Sequence, residues 1–358
     1  MSRERKSKPS SESANQVPGK AALLSFSQIL GELLDDSKPF HPRNLYRFSD
    51  LEGQDLVDFQ QAWPQVSTRR RQAILEDIEE LGETNYTLSF EEVCRFTAGD
   101  SDPRVRELSV RSLAEYEDFH LIQLFLNLLA DDEDSAVRAA SASALGTYVY
   151  LGEIEELPEK TLDEIVDRLL ESFRSTDTSL VRRRALEALG YSSRSEILDI
   201  IESAYSTGKH DWMISAIFAM GRTANQRWGK TILELLESDD SELRYEAARA
   251  AGELELKPAL TLLMNLLDDS DSDIRMAAVW SLSQIGGEGV QDALEQLFDE
   301  TEDEEEADFI DLALENLSFT EDLEAFSLLE LPPEDDEYDD EGFDFEDDLE
   351  DDLDEEEE

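Results

Sequence analysis

The chain has 358 residues, of which 40% are hydrophobic, and its formal net charge is −57 at pH 7. This length and hydrophobic content are enough for a sizeable core, so the composition excludes a chain that is disordered throughout. The large excess of carboxylates repels phosphate backbones, which argues against nucleic acid as a direct ligand and favours a basic protein partner.

The N-terminal residues 1–20 differ from the rest of the chain because they are basic and polar, and we expect them to be disordered. They contain no uninterrupted apolar stretch, which argues against a signal peptide, and no segment approaches the length of a membrane span. The single cysteine, Cys94, cannot form an intrachain disulfide and fits a reducing compartment. The sequence therefore predicts a cytoplasmic protein without a membrane segment.

Residues 21–66 form a predicted helical N-terminal cap region. AALLSFSQILGELLDD (21–36) and LEGQDLVDFQQAW (51–63) both have apolar residues at helical spacing. We expect the two helices to cover the open N-terminal end of the elements that follow. Because SKPFHPRN (37–44) separates the first helix like a linker, a partner-binding helix is the alternative for it.

One pattern recurs through the middle of the chain. It begins with Asp or Thr, places Arg four positions later and continues as an Ala-rich stretch that ends in a small residue. The copies are DPRVRELSVRSLA (102–114), DSAVRAASASALG (134–146), TSLVRRRALEALG (178–190), DSELRYEAARAAG (240–252) and DSDIRMAAVWSLS (271–283), with degenerate copies at 71–82 and 210–221. The ends of successive copies are 31 or 32 residues apart, except for one interval of 44 residues. A fixed period near thirty indicates a solenoid.

Each copy predicts two helices. Asp102 is suited to cap a helix whose first residue is Pro103, where the missing N–H costs nothing. The final small residue, such as Gly190, is expected to stop that helix in a left-handed conformation. A second apolar-periodic stretch follows each copy, and no stretch alternates like a strand. The predicted fold class is therefore all-α: an α-solenoid of about seven to eight helix pairs over residues 67–319.

The D-x-x-V-R and A-x-x-A-L-G signature resembles the short bacterial HEAT repeats of the phycobilisome-lyase type, over roughly residues 67–319. These repeats occur in scaffolds, adaptors and a few enzymes, so the resemblance implies a HEAT-like superhelix and leaves the function open. It also implies a structural ladder, in which the repeated aspartates cap helices and the repeated arginines bind neighbouring loops. The implied ladder residues are Asp102, Arg106, Asp134, Arg138, Arg182, Asp240, Arg244, Asp271 and Arg275.

The interval of 44 between Gly146 and Gly190 contains extra residues around GEIEELPEKT (152–161). Insertions in a solenoid fall in loops on one face, often the binding face. We interpret the extra residues as a tolerated surface loop, with a binding loop as the alternative.

No motif supports catalysis, a metal or a cofactor. ANQRWGKT (224–231) meets a loose P-loop pattern, but bulky residues fill the loop and a predicted helix precedes it where a strand is needed. DDSDSD (268–273) lacks the turn glycine and the final glutamate of a calcium loop. Cys94 lies between apolar residues and is expected to be part of the core. The three histidines, which are His41, His120 and His210, are far apart in the sequence.

Three arginine clusters interrupt the acidic body at residues 69–71, at 104–111 and at 182–184. We expect them to pair with the surrounding carboxylates. The alternative is that they dock an acidic ligand or the acidic tail of the chain itself.

The C-terminal part contains no Lys or Arg after Arg275. FDETEDEEEADFIDLALENL (298–317) keeps a helical spacing of apolar residues and predicts a folded, negatively charged end cap; those residues are Phe309, Leu312, Ala313 and Leu317. Residues 320–358 are an acidic tail, predicted to be mostly disordered because its charges repel one another. Spaced apolar residues in such a tail are typical of a binding segment. The candidate partner-binding residues are Tyr338, Phe343, Phe345, Leu349 and Leu353.

The leading hypothesis for function is a non-catalytic protein-interaction scaffold or adaptor with a tail that engages a basic partner. One alternative is a lyase, isomerase or accessory enzyme acting on a chromophore or another small molecule. The other is a polyanion that mimics nucleic acid and sequesters a DNA-binding protein. The sequence leaves the partner and the oligomeric state open.

Overall fold

The computed structural model describes residues 24–327, and for 320–327 it describes the backbone alone. In that range the chain forms 17 α-helices and five short 3-10 helices, and no strand. The α-helices are α1 (Phe26–Leu34), α2 (Gly53–Ala62), α3 (Thr68–Thr84), α4 (Glu91–Thr97), α5 (Pro103–Leu113), α6 (Ile122–Asp131), α7 (Ser135–Glu153), α8 (Glu159–Arg174), α9 (Ser179–Leu189), α10 (Glu196–Tyr205), α11 (His210–Arg222), α12 (Gly229–Leu235), α13 (Ser241–Glu253), α14 (Leu260–Leu266), α15 (Ser272–Ile285), α16 (Val290–Glu300) and α17 (Glu304–Ser327).

From α3 onward the helices form two layers. The odd-numbered helices α3 to α17 pack on one another in chain order, and we call them the first-helix layer. The even-numbered helices α4 to α16 each pack against the odd-numbered helix that follows, and they form the second-helix layer. Because each unit buries its apolar face mainly against its neighbours, this is a solenoid. The predicted all-α solenoid is confirmed, whereas the predicted tail lies outside the described residues from 328 onward.

The repeated D-x-x-V-R letters are explained by how each first helix begins. The aliphatic residue before the arginine is fully buried at Val105, Val137 and Val181. The arginine is the next residue in the helix, so its side chain points away from the core and toward the adjoining unit. One turn of sequence thus supplies a core contact and an inter-unit contact together.

Aromatic residues close the N-terminal end of the stack. Ser25 and Gln28 form a capping box at the start of α1. The Phe59 ring of α2 lies 5.2 Å from that of Phe48 and 6.2 Å from that of Phe96 on α4, between ring centroids. The Phe26 ring of α1 lies 6.2 Å from the same Phe48 ring, so edge-on aromatic packing joins α1 and α2 to the first repeat.

None of the glycines at the ends of the copies stops its helix in a left-handed conformation, so that prediction was wrong, although α9 does end just before Gly190. Gly146, Gly221 and Gly252 lie inside α7, α11 and α13, and Gly190 keeps a right-handed φ of −54°. Their role is close approach between first helices. A Cβ at Gly190 would lie 3.0 Å from the Ala219 backbone, and one at Gly252 would lie 2.8 Å from the Ser281 Cα. The left-handed residue comes later in the turn, as at Glu255 with φ 47°.

The 44-residue interval does not contain an extra loop, so the predicted surface loop was also wrong. Helix α7 has 19 residues where α5 has 11, and α8 has 16 where α6 has 10. Only a short turn, residues 154–158, joins α7 to α8. The additional sequence therefore lengthens two helices in the middle of the chain.

Candidate functional site

The repeated aspartates lie at helix N-termini. The Asp102 carboxylate accepts a hydrogen bond from the backbone N–H of Val105 at 3.1 Å, and Asp134 accepts one from Ala136 at 2.8 Å. Asp240 and Asp271 make the same type of bond at the starts of α13 and α15. Each bond satisfies a backbone donor that the first helical turn leaves without a partner.

Four of the repeated arginines connect one unit to the next. Arg106 binds both carboxylate oxygens of Asp132 at 2.8 Å, and Arg138 binds those of Asp177 at 2.6 and 2.8 Å. Arg244 binds Asp269 at 3.1 Å, and Arg275 binds Glu306. The hydrogen bond from Arg138 lowers the pKa of the Asp177 carboxyl. We call these pairs, together with Arg71–Asp100 at 2.6 Å, the outer rungs.

Sequence reasoning missed the acceptors of the outer rungs. Asp132 and Asp269 each lie two positions before a capping aspartate, and Asp100 lies two positions before Asp102. The signal that marks these three is a repeated Asp-x-Asp, in which the first carboxylate accepts the backbone N–H of the second aspartate; for Asp132 that bond is 2.8 Å. The first Asp therefore holds the turn and receives the arginine of the previous unit. The other two acceptors, Asp177 and Glu306, are not part of such a pattern.

Arg182 occupies the same repeat position but makes a different contact. Its Nε donates to the carbonyl oxygen of Phe173 at 2.9 Å, and its guanidinium lies 5.3 Å from the Trp212 ring centroid and 5.9 Å from that of Phe173. We call these three residues the ring clasp. The inter-unit contact here is a cation–π contact in place of an ion pair.

A cleft of about 760 Å³ opens on the first-helix layer and extends across α3, α5, α7 and α9. Its floor is made of small residues on α7, namely Ala136, Ala139, Ala140, Ser143 and Ala144. Tyr86, whose side chain is 92% exposed, and Tyr116 stand at its side. None of the lining residues belongs to the second-helix layer. We call it the alanine cleft.

Carboxylates outnumber cations around the alanine cleft. Its two arginines are already engaged, since Arg111 pairs with Glu79 at 2.8 Å and Arg184 pairs with Glu187 at 2.5 Å. Glu83 and Glu115 are exposed at the rim and form no salt bridge within residues 24–327. The cleft thus offers an apolar floor together with unpaired negative charge, which suits a segment that carries Lys or Arg.

A second group of charged residues lies farther along the layer, on α9, α11 and α13. The Arg222 guanidinium lies 4.0 Å from the Phe218 ring centroid and 4.5 Å from that of Tyr191. The Glu246 Oε2 atom is buried without a hydrogen-bond partner among the described residues. Burial raises the pKa of Glu246 to about 7, and the Glu187 charge on α9 adds to this effect.

The predicted arginine clusters mostly pair with carboxylates. Arg70 lies 3.4 Å from Asp36, Arg104 pairs with Glu107 at 3.0 Å, and Arg183 lies 3.4 Å from Asp211. Together with the outer rungs, these pairs follow the first interpretation that the sequence offered. There are two exceptions: Arg182 contacts rings, and the exposed Arg69 forms no salt bridge within residues 24–327.

Other residues considered in the sequence are placed in structural roles. Cys94 is fully buried, and burial raises the pKa of its thiol to about 12, so it is not a nucleophile at neutral pH. The P-loop-like stretch 224–231 follows α11 and enters α12, where Lys230 lies 3.6 Å from Glu234. Residues 24–327 contain no group of His, Cys, Asp and Glu arranged to hold a metal ion.

No helix within residues 24–327 is both long enough and apolar enough to cross a bilayer. The candidate partner-binding residues of the tail lie outside the described residues; they are Tyr338, Phe343, Phe345, Leu349 and Leu353.

Comparison with known proteins identifies the repeats. A family model described as HEAT repeats matches residues 70–146, 93–190 and 229–310, which together make up more than half of the chain. No curated protein matches the sequence.

Several solved structures are similar to this chain at low sequence identity. YibA from Escherichia coli is 15% identical with a TM-score of 0.40, over 78% of this chain and 98% of its own. A chain of the CpcE–CpcF complex of phycocyanin lyase from Nostoc is 20% identical with a TM-score of 0.41, over 63% and 94%. Yeast importin-β, Kap95p, is 13% identical with a TM-score of 0.42, over 82% of this chain and 46% of its own.

Proposed function

Because this chain belongs to the HEAT-repeat family, we propose that it is a non-catalytic protein-interaction scaffold whose alanine cleft binds a basic segment of a partner protein. Stacked helix pairs expose a long continuous surface, and solenoids use such surfaces for binding. The observation that carries the proposal is the pairing of a small-residue floor with unpaired carboxylates at Glu83 and Glu115. It supports both the proposed chemistry of the partner and the proposed location of the binding site.

The floor and the rim have separate tasks in this proposal. The side chains of Ala136, Ala140 and Ser143 are short, so a partner's apolar side chain or helix can approach the α7 backbone closely. The rim carboxylates attract Lys and Arg and set the orientation of the segment. Binding by this mechanism weakens as the ionic strength rises.

Site-specific photocrosslinking tests the proposal directly. A photoreactive residue in place of Ser143, which is exposed in the cleft, is expected to capture protein segments that contain Lys or Arg. In the matched control the photoreactive residue replaces Gln123, which is exposed on α6 in the second-helix layer. The double substitution Glu83→Gln and Glu115→Gln is expected to reduce capture at Ser143. Equal capture at the two positions would contradict the proposal.

The tail is a second part of the proposed scaffold. We place the binding body in residues 67–319, its N-terminal cap in 21–66 and a disordered basic segment in 1–20, with the whole protein in the cytoplasm. The acidic tail is residues 320–358, of which 320–327 still belong to α17. The acidic and apolar composition of the tail supports engagement of a basic partner. Replacing Phe343 and Phe345 by Ser keeps the charge, so unaltered partner capture would show that charge alone is needed.

Two other functions were considered, a chromophore lyase or isomerase and a nucleic-acid mimic. No observation on the described residues favours either one specifically. Offering bilins to the purified protein tests the first, since uptake of visible colour is expected only of a chromophore enzyme. Competition by excess DNA for a captured partner tests the second.

A further inference from the structure

The last helix, α17, is apolar on two sides. Its inner side is buried at Ile310, Ala313 and Leu317, which are at most 6% exposed and pack against the body. Its other side exposes Leu312 and Phe319, both 63% accessible. The terminal helix of a solenoid ordinarily has a polar outer face, because no further unit covers it. An exposed pair of large apolar side chains in this position indicates an interaction surface.

The exposed apolar residues follow a helix-packing register. Phe309, Leu312 and Phe319 occupy three positions of the alternating three-and-four spacing that forms the seam of a coiled coil. The seam position between the last two is Asn316, whose Nδ2 donates to the carbonyl oxygen of Ser283 at 3.2 Å. In the sequence the same spacing continues at Leu323 and Phe326. We call Phe309, Leu312 and Phe319 the α17 strip. Its register favours another helix as the occupant over an extended strand.

The α17 strip continues across the first-helix layer. Phe309 also lines a shallow cleft of about 300 Å³ together with Met276 and Trp280 of α15 and Tyr245 of α13. An amphipathic helix seated on the strip would therefore find large apolar side chains on three successive first helices. This gives the surface the breadth that a helix-in-groove interaction needs.

The charge beside the strip determines which helix fits. Asp308 and Glu315 are exposed, lie one helical turn on either side of Leu312 and form no salt bridge within residues 24–327. Glu306 is the carboxylate of this helix that pairs with an arginine, Arg275. The sequence supplies no Lys or Arg after Arg275. On α17 the border of the strip is therefore uncompensated negative charge, whereas the adjoining cleft is lined by one cation and one carboxylate, Arg249 and Asp273.

The occupants that the chain itself could provide do not fit this surface. A second copy would bring the same carboxylates against one another across a two-fold contact. Residues 328–358 carry acidic charge of the same sign. Residues 1–23 are basic, but they lack apolar residues at the spacing of a helix seam.

We propose that the α17 strip docks an amphipathic helix of a partner protein, with an apolar seam bordered by Lys and Arg. This proposal rests on the scaffold function, but it places a second contact site away from the alanine cleft. Leu312 and Phe319 enter the seam of the partner, and Asp308 and Glu315 pair with the basic residues beside it.

A synthetic probe tests the proposal on the full-length protein. The probe is a fluorescent three-heptad peptide with Leu at the a and d positions and Lys or Arg at e and g, and binding is followed by fluorescence anisotropy. The comparison peptide has the same composition in an order that removes the seam. Leu312→Ser and Phe319→Ser are each expected to weaken binding of the probe about tenfold, as for central interface residues. The control variant Tyr46→Ser removes a side chain that is 50% exposed elsewhere and is expected to leave binding unchanged.

The outcomes separate the alternatives. Equal binding of both peptides, or unchanged binding by Leu312→Ser and Phe319→Ser, overturns the proposal. A wild-type dimer that Leu312→Ser converts to a monomer in sedimentation overturns it in favour of a second copy. Tighter probe binding after removal of residues 328–358 overturns it in favour of the tail. The variant Ala140→Trp fills the alanine cleft while position 143 still carries the photoreactive residue, so its effect on partner crosslinking reports on the scaffold proposal independently of the strip.

Discussion

In the outer repeats an arginine reaches from one unit to a carboxylate of the next, whereas in the centre Arg182 reaches to the ring of Trp212. Both kinds of arginine also bind a backbone carbonyl, as Arg138 binds Asp132 at 2.7 Å and Arg182 binds Phe173 at 2.9 Å. The repeat position therefore keeps its donor and its backbone anchor, and only the acceptor in the next unit changes.

This difference shows that the repeat needs a contact at this position more than it needs a particular chemistry. An ion pair weakens with salt and with protonation of the carboxylate. A cation–π contact with a largely buried tryptophan lacks a titrating partner. The outer rungs and the ring clasp should therefore respond differently to mutation, ionic strength and pH.

The largest effect is expected at the most deeply buried outer rung. Asp100→Ala leaves Arg71 without its carboxylate and removes the acceptor of the Trp63 indole N–H, which lies 2.7 Å away. Loss of one partner of a buried ion pair costs about 3–5 kcal/mol, and the midpoint of thermal unfolding should fall accordingly. Asp211→Ala is the control because Asp211 is exposed, and it should cost less than about 1 kcal/mol. Similar losses for both variants would contradict the role of burial.

The second prediction concerns close approach between first helices at the centre. Gly190→Ala places a Cβ 3.0 Å from the Ala219 backbone, and such overpacking costs about 1–3 kcal/mol of unfolding free energy. Gly82→Ala on α3 is the matched control, because nothing lies within 4 Å of its added Cβ. Removal of a helical glycine there should stabilise the protein by about 0.5–1 kcal/mol. Urea denaturation measures the free energy of unfolding of both variants. A change of the same sign in the two variants would contradict the prediction.

The third prediction compares a rung with the ring clasp directly. Asp177→Asn weakens the bonds from Arg138 and should cost about 1–2 kcal/mol at low salt. That cost should shrink as salt is added, since the wild-type pair is screened. Trp212→Leu removes the contact with Arg182 at a similar cost, without a salt dependence. Thermal unfolding at two ionic strengths measures both costs. The prediction is wrong if salt changes the cost of the two substitutions equally.

The last prediction concerns pH at Glu246, where burial raises the pKa to about 7. A raised folded-state pKa means that folding favours the protonated form, so the free energy of unfolding falls as pH rises toward and through about 7. Glu246→Gln removes this dependence. The difference between the thermal unfolding midpoint of the variant and that of wild type should therefore increase in favour of the variant from about pH 5 to about pH 8. The outer rung carboxyl Asp177 has a lowered pKa, so its contribution is lost only in acid. A pH-independent difference between Glu246→Gln and wild type would exclude this mechanism.

The sequence was sufficient for the solenoid because its period and its apolar spacing are both local signals. It did not reveal the role of the glycines, since a glycine that ends a helix and one that admits a neighbouring backbone look alike in one dimension. Gly190 and Gly252 are in the second class because Ala219 and Ser281 lie against them, and those residues are about thirty positions away.

The two candidate binding surfaces, the alanine cleft and the α17 strip, were even harder to predict from the sequence, because they depend on tertiary contacts. The unpaired state of Glu83 and Glu115 follows from which arginines reach which carboxylates, and spacing along the chain does not determine this. On α17 the apolar set included both Leu312 and Ala313, but only Ala313 is buried. The last helix has a neighbouring first helix on one side only, and sequence periodicity does not show which of its apolar residues face that neighbour.

Each outer rung crosses a unit boundary, with its donor in one unit and its acceptor in the next. Excision or duplication of a whole outer unit therefore leaves every arginine facing an equivalent carboxylate. The ring clasp breaks this rule because Trp212 belongs to a single unit, and Arg182 loses its partner when that unit is removed. Recombination between repeats can thus change the length of the solenoid within the outer repeats, while the unit containing α11 has no interchangeable copy.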